Sequence, residues 1–116
     1  MTHRTNAENP ALNPDRRWDQ HPGAQIEATL LVRILQPLQR KVLHVLAESP
    51  AQVERHDHLS RKLNVGTDEV SAAVARINQF AESYGYVPLI VLHDSGYEIE
   101  SATAEVVRHA LTEQQR

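Results

Sequence analysis

Between residues 66 and 99 the chain reads GTDEVSAAVARINQFAESYGYVPLIVLHDSGYEI, a helical period that stops at a glycine and gives way to two β-rich runs around a turn. Val70, Ala73, Val74, Ile77, Phe80, Ala81 and Tyr84 recur at three- and four-residue spacings, which places them on one side of a helix. Thr67 is positioned to cap that helix through its hydroxyl, and Asp68 and Glu69 favour the positive end of its dipole. Gly85 ends it. VPLIVLHDSGYEI then supplies two strands around His93-Asp94-Ser95-Gly96, with Pro88 tolerable at a strand start or edge.

Upstream, Pro37 follows Gln36 at a first helical position, where its missing N–H costs nothing. Leu38, Val42, Val45 and Leu46 share one face of the helix that follows, and Ser49-Pro50 ends it. HDHLSRKLNVG predicts a shorter helix closed by a turn over Asn64 to Gly66. IEATLLVRIL, residues 26 to 35, reads either as a strand or as the start of a helix stopped by Pro37; its β-branched Ile26, Thr29, Val32 and Ile34 favour the strand. Residues 101 to 116 form a last helix with the stripe Val106, Val107, Ala110 and Leu111.

With 116 residues and 41% apolar content, the chain can bury a single core. The expected division is a flexible tail over 1–24, one folded domain over 25–100 and the terminal helix over 101–116. Three prolines, three asparagines and little apolar periodicity make the tail unable to offset its ordering entropy. Trp18 is its exception, either docked on the body for its large apolar surface or free. There is no secretory signal pattern and no run long enough for a membrane span, so a cytoplasmic protein is expected. The absence of cysteine excludes disulfides, a thiol nucleophile and thiolate metal sites.

LQPLQRKVLHVLAESPAQV, HLSRKLNVG, VSAAVARINQF and the closing SGYEI together resemble the effector domain of OmpR/PhoB-type response regulators, over roughly residues 30 to 99. Val70, Val74, Arg76 and Ile77 match that family's third-helix pattern, and Gly96-Tyr97 matches the end of its wing. The resemblance implies an α+β winged helix-turn-helix: three helices, a C-terminal β-hairpin wing and here an added C-terminal helix. It implies a sequence-specific DNA-binding transcriptional regulator of bacterial or phage type, with residues 67–84 as recognition helix and double-stranded DNA as partner. Departures fall at the functional positions. Asn78 and Gln79 stand where the family is usually basic, as do Ile90 and His93 in the wing region; these 116 residues are expected to hold no receiver domain, and the family's N-terminal sheet is expected to be reduced to at most one strand.

Under that reading Ala72, Ala75, Arg76 and Gln79 would meet base edges, Arg76 on guanine, Gln79 on adenine and the alanines on thymine methyls. Arg40, Lys41, Arg61, Lys62 and Thr67 would contact phosphates, with Arg33 and Arg55 as further basic candidates, and His93 and Ser95 would lie on the wing. Arg16 and Arg17 are candidates for a minor-groove arm. Charge opposes the assignment locally: residues 66–99 carry −4, with Arg76 as their one basic side chain, whereas residues 1–65 carry +2. An alternative function is therefore a winged-helix module whose acidic third helix and wing bind protein, and for each basic candidate the alternative is an ordinary mixed-charge surface. Val106, Val107, Ala110 and Leu111 would hold a homodimer, or would instead cover the chain's own core. No metal, cofactor or catalysis is expected: His56-Asp57-His58 lacks ligand spacing on a helix, and there is no phosphate loop, nucleophile elbow or evident pair of carboxylates.

Overall fold

A computed structural model describes residues 15–115. In chain order its elements are α1 (Ala24–Ile34), α2 (Pro37–Glu48), β1 (Glu54–Arg55), α3 (His56–Leu63), α4 (Thr67–Ser83), β2 (Val91–Leu92), β3 (Gly96–Glu98) and α5 (Ser101–Gln114). Among the described residues this is an α+β arrangement of five helices and one small antiparallel sheet in the order β1-β3-β2. Glu54 faces Tyr97 and Arg55 faces Gly96 on one side of β3, while Val91 faces Glu98 and Leu92 faces Tyr97 on the other. No helix among the described residues is long and apolar enough to cross a membrane.

The stretch expected as a strand, 26–35, is helical. Ala24, Ala28, Leu31, Val32 and Leu35 are buried at the spacing of a helix face, and α1 packs chiefly on α5. The β-branched side chains misled because propensity is a weak prior that tertiary burial overrides. Gln36 is extended before Pro37, and its N–H donates to the Gln39 side chain at 2.9 Å, so α2 begins where the proline requires. The cap of α4 is also displaced from Thr67, which is already the first helical residue. Gly66 is the N-cap, and its N–H donates to Glu69 Oε1 at 2.8 Å.

The C-terminal stripe works within the chain. Val107, Ala110 and Leu111 are buried where α5 meets α1 and α2, and Val106 is half-buried against the same core. Arg108 fastens the helix further, donating to the Ala47 carbonyl at 2.8 Å near the C-terminal end of α2. The surface expected to hold a homodimer is thus covered by the protein's own helices.

The expectation of a mobile tail over 1–24 fails from Arg16 onward; residues 1–14 lie outside the described ones. Arg16 N–H donates to the Gly85 carbonyl at 3.1 Å, Val87 N–H donates to the Arg16 carbonyl at 2.9 Å, and Trp18 is 1% exposed. The Trp18 ring stacks on Tyr86 with centroids 3.9 Å apart, and its indole N–H donates to the Val87 carbonyl at 3.0 Å. Neither arginine is a free arm. Arg16 donates to the Tyr84 carbonyl at 3.3 Å and approaches Glu27 at 3.8 Å, while Arg17 pairs with Asp19 at 3.2 Å and Glu100 at 3.5 Å.

Gly85 ends α4 as expected. It has φ 87°, donates to the Glu82 carbonyl at 2.8 Å, and is followed by Tyr86 donating to the Ala81 carbonyl at 3.0 Å, a Schellman exit. Gly96 is needed for a different reason. A Cβ there would lie 1.8 Å from the Glu54 carbonyl oxygen and 2.9 Å from Arg55 Cα, so β1 can lie against β3 only because position 96 has no side chain. Gly96→Ala is expected to cost about 2 to 4 kcal/mol by forcing β1 away, read from urea unfolding, with faster amide exchange at the β1–β3 pairs.

The Tyr86 hydroxyl donates to Glu27 at 2.5 Å and lies 3.1 Å from His21 Nδ1. Burial, followed by the hydrogen bond and negative charge of Glu27, pushes the phenol well above its ordinary value of 10.0. The folded chain therefore holds this proton at pH values where the unfolded chain has released it. The stabilisation is complete below pH 10.0 and is lost as pH rises through the higher folded value. The urea midpoint should fall above that pH more steeply in the wild type than in Tyr86→Phe, and of the three tyrosines one should form tyrosinate only on unfolding.

Candidate functional site

The face that α4 turns outward follows from the face it buries. Val70, Ala73, Val74, Ile77 and Ala81 are buried, which leaves Asp68, Glu69, Ala72, Ala75, Arg76, Gln79, Glu82 and Ser83 exposed. The four residues proposed for base contact, Ala72, Ala75, Arg76 and Gln79, thus share one surface. The Arg76 guanidinium is held close to the helix: Nη1 donates to Gln79 Oε1 at 3.2 Å, and Cζ lies 4.9 Å from the centre of the Phe80 ring. A cleft of about 430 Å³ borders this ridge on the α2 side, lined by Gln36, Leu38, Gln39, Glu69, Ala72, Ala73 and Arg76. Another, of about 420 Å³, borders it through Ala75, Asn78, Gln79, Glu82, Tyr86 and Pro88.

Of the basic residues expected on phosphates, Arg61 is brought near this ridge. It shares a cleft at the α3–α4 turn with Ser60, Asn64, Val65, Gly66 and Glu69, and Thr67 is exposed beside it at the first turn of α4. Asn64 permits the turn by taking the left-handed conformation, φ 57°. Lys62 is exposed and has no ion pair among the described residues. Arg61 lies 3.8 Å from Asp57, which Arg55 also approaches at 3.6 Å. Desolvation pushes the Asp57 carboxyl up, but Arg55, the backbone N–H groups of His58 and of Asp57 itself, and Arg61 together leave it below its ordinary value. Arg40 and Lys41 are placed elsewhere. They line a cleft with His44, Val45, Leu63 and residues of α5, and none of its lining residues borders the α4 ridge clefts.

The hairpin turn rests on the start of α3. His56 N–H donates to the Ser95 carbonyl at 3.2 Å, His56 Nε2 lies 3.0 Å from the Asp94 carbonyl oxygen, and the His56 ring meets Tyr97 edge-on. His93 Nε2 sits 2.7 Å from Glu98 Oε1, so His93 is engaged across the hairpin, while Ser95 is exposed at its tip. His58 Nδ1 lies 3.1 Å from the buried Glu54 carboxylate. The residues of the His56-Asp57-His58 run are therefore directed to different partners, and no group of three or more potential ligands among the described residues could hold a metal ion.

Two supporting residues were not legible beforehand. Phe80, read only as core, forms the surface under Arg76. Asn78, read as a missing base, clamps the chain before β2: Nδ2 donates to the Ile90 carbonyl at 2.9 Å and the Ile90 N–H donates to Oδ1 at 3.0 Å. Its place one residue beyond Ile77, at the edge of the buried face, was the available signal. Comparison with family models, curated proteins and solved structures gives no match to this chain.

Asn78→Ala leaves both Ile90 backbone groups without their partner. The expected loss is about 1 to 3 kcal/mol in urea unfolding, with weaker amide protection at Ile90. Asn78→Asp should not rescue it, because a carboxylate accepts from the Ile90 N–H but repels the Ile90 carbonyl.

Proposed function

We propose that the protein is a sequence-specific DNA-binding regulator of winged helix-turn-helix type, acting in the cytoplasm, with α4 as recognition helix and the β2–β3 hairpin as wing. The observation that carries this reading is the outward face of α4. It is a ridge of small and hydrogen-bonding side chains, Ala72, Ala75, Arg76 and Gln79, raised between two clefts and narrow enough for backbone and side chains to approach base edges. The element order supports it, since a strand between α2 and α3 pairs with the hairpin that follows α4. Arg61 and the exposed first turn of α4 supply phosphate attraction beside the ridge, and Lys62, exposed on α3, adds positive charge.

A second reading, a protein-binding module, is favoured by α1. Ile26, Leu30 and Ile34 are 69%, 40% and 51% exposed and spaced four residues apart, an apolar stripe on the side away from the core. Either a foreign protein or a second copy of this chain would cover such a stripe, and α5 offers no comparable surface.

DNA binding to a random-sequence pool at two salt concentrations separates the readings. For a DNA-binding regulator, affinity falls steeply with salt. Arg61→Ala or Lys62→Ala should weaken all sequences alike and flatten the salt slope by about one unit each, while Gln79→Ala should cost about 1 to 3 kcal/mol on the selected site alone. Binding that ignores salt, or loss of cellular activity in Leu30→Lys with DNA affinity intact, favours the protein-binding module instead.

A further inference from the structure

The cleft that takes Arg40 and Lys41 away from the α4 ridge has the make-up of a small-ligand site. Its volume is about 500 Å³, within the range of small-molecule pockets, and it lies between α2, the end of α3 and the last turns of α5. Val45, Leu63 and Leu111 supply an apolar floor, and Arg40, Lys41 and His44 stand on α2 around it. Among the described residues these three side chains make no ion pair or hydrogen bond, as is also true of Arg33 and Lys62, whereas Arg16, Arg17, Arg55, Arg61, Arg76 and Arg108 all engage a partner. No carboxylate side chain among the described residues lines the cleft.

We propose that this cleft binds a small anionic amphiphile, with a carboxylate head on Arg40 and Lys41 and an aliphatic body over Val45, Leu63 and Leu111. Charge complementarity selects the head: two cations side by side attract an anion, and no acidic side chain among the described residues lines the cleft to compensate them. The apolar floor selects the body, since a fully hydrated anion would leave Val45, Leu63 and Leu111 uncovered. Neither half requires that α4 bind DNA, so the inference stands or falls separately from the regulator reading.

Calorimetric titration of the full chain with decanoate, kept below its micelle-forming range, tests the site. Decanol serves as the tail without a charge and inorganic phosphate as a charge without a tail. Decanoate should bind saturably at one site per chain, and both controls should bind at least about tenfold more weakly. Arg40→Gln with Lys41→Gln, both on the surface, should weaken decanoate by about tenfold or more, and Val45→Gln should weaken it without changing the response to phosphate. Unchanged circular dichroism and urea midpoint in the double variant keep misfolding from imitating the result. Absence of saturable decanoate binding, equal affinity for decanol, or equal affinity in the double variant overturns the proposal. Binding to phosphatidylglycerol vesicles without binding to free decanoate also overturns it, in favour of a membrane surface. If Arg40→Gln with Lys41→Gln lowers DNA affinity while decanoate does not bind, these residues serve phosphates as first expected and the cleft is no ligand site.

Discussion

Tyr86 ties together parts of the chain that lie far apart in sequence. It is the first residue beyond the Schellman turn of α4, its ring stacks on Trp18 from the N-terminal segment, and its hydroxyl reaches Glu27 on α1. The chain has five aromatic residues, so committing two of them to one stack concentrates much of its aromatic packing at this point. Such a pair contributes about 0.5 to 1.5 kcal/mol beyond the area it buries. Its larger effect is geometric. With Tyr86 fixed, the chain leaves α4 in one direction, and Val87 pairs with Arg16 before the strands begin.

Two further constraints carry that direction to the hairpin. Asn78, reaching out from α4, gives Ile90 both of the hydrogen bonds a neighbouring strand would give it, and Gly96 lets β1 come close enough to close the sheet. The His56 ring and N–H then seat the hairpin turn on α3. The helix α4, the hairpin and the start of α3 are thus tied by short-range contacts at several points. The outward face of α4 is a fixed surface set by rigid elements, which is the condition for a recognition surface of any kind to be specific.

What could be read from the sequence was what local chemistry decides. Pro37 marked the start of α2, Gly85 the end of α4, and His93 to Gly96 the hairpin turn, because each is a position where few residues satisfy the backbone. The helix over 24–34 was not readable in the same way. Its buried face is matched by a second apolar stripe, Ile26, Leu30 and Ile34, so no single periodicity stood out, and the partner that makes it a helix, α5, begins 67 residues beyond its end. The same limit separates the site residues. Ala72, Ala75, Arg76 and Gln79 share a face because one helix dictates it, whereas Arg40 and Lys41 were grouped with Arg61 by charge and by where the resembled fold would place their helices, and the packing of α2 on α5 sends them elsewhere.

The local charge of −4 over residues 66–99 overstates how acidic the proposed interface is. Glu69 turns back onto the Gly66 N–H at the positive end of α4, where the helix dipole offsets part of its charge, and it shares a cleft with Arg61. Glu98 is engaged by His93 across the hairpin. The acids left without a side-chain partner among the described residues are Asp68, in the first turn where the same dipole acts, Asp94 at the hairpin tip, and Glu82. Glu82 alone lines the ridge cleft beside Ala75 and Gln79 with no dipole or cation near it to offset its charge. Repulsion of a polyanion by α4 therefore reduces largely to this one residue, near the C-terminal end of the helix, while Arg61 shares a cleft with the N-terminal end. A duplex would accordingly meet α4 through its first turns and Arg76, with the region around Glu82 turned away from phosphates. In the proposed complex that orientation would put Ala72 and Arg76 nearer the bases than Gln79, whose side chain accepts from Arg76 and so would position the guanidinium as much as read a base.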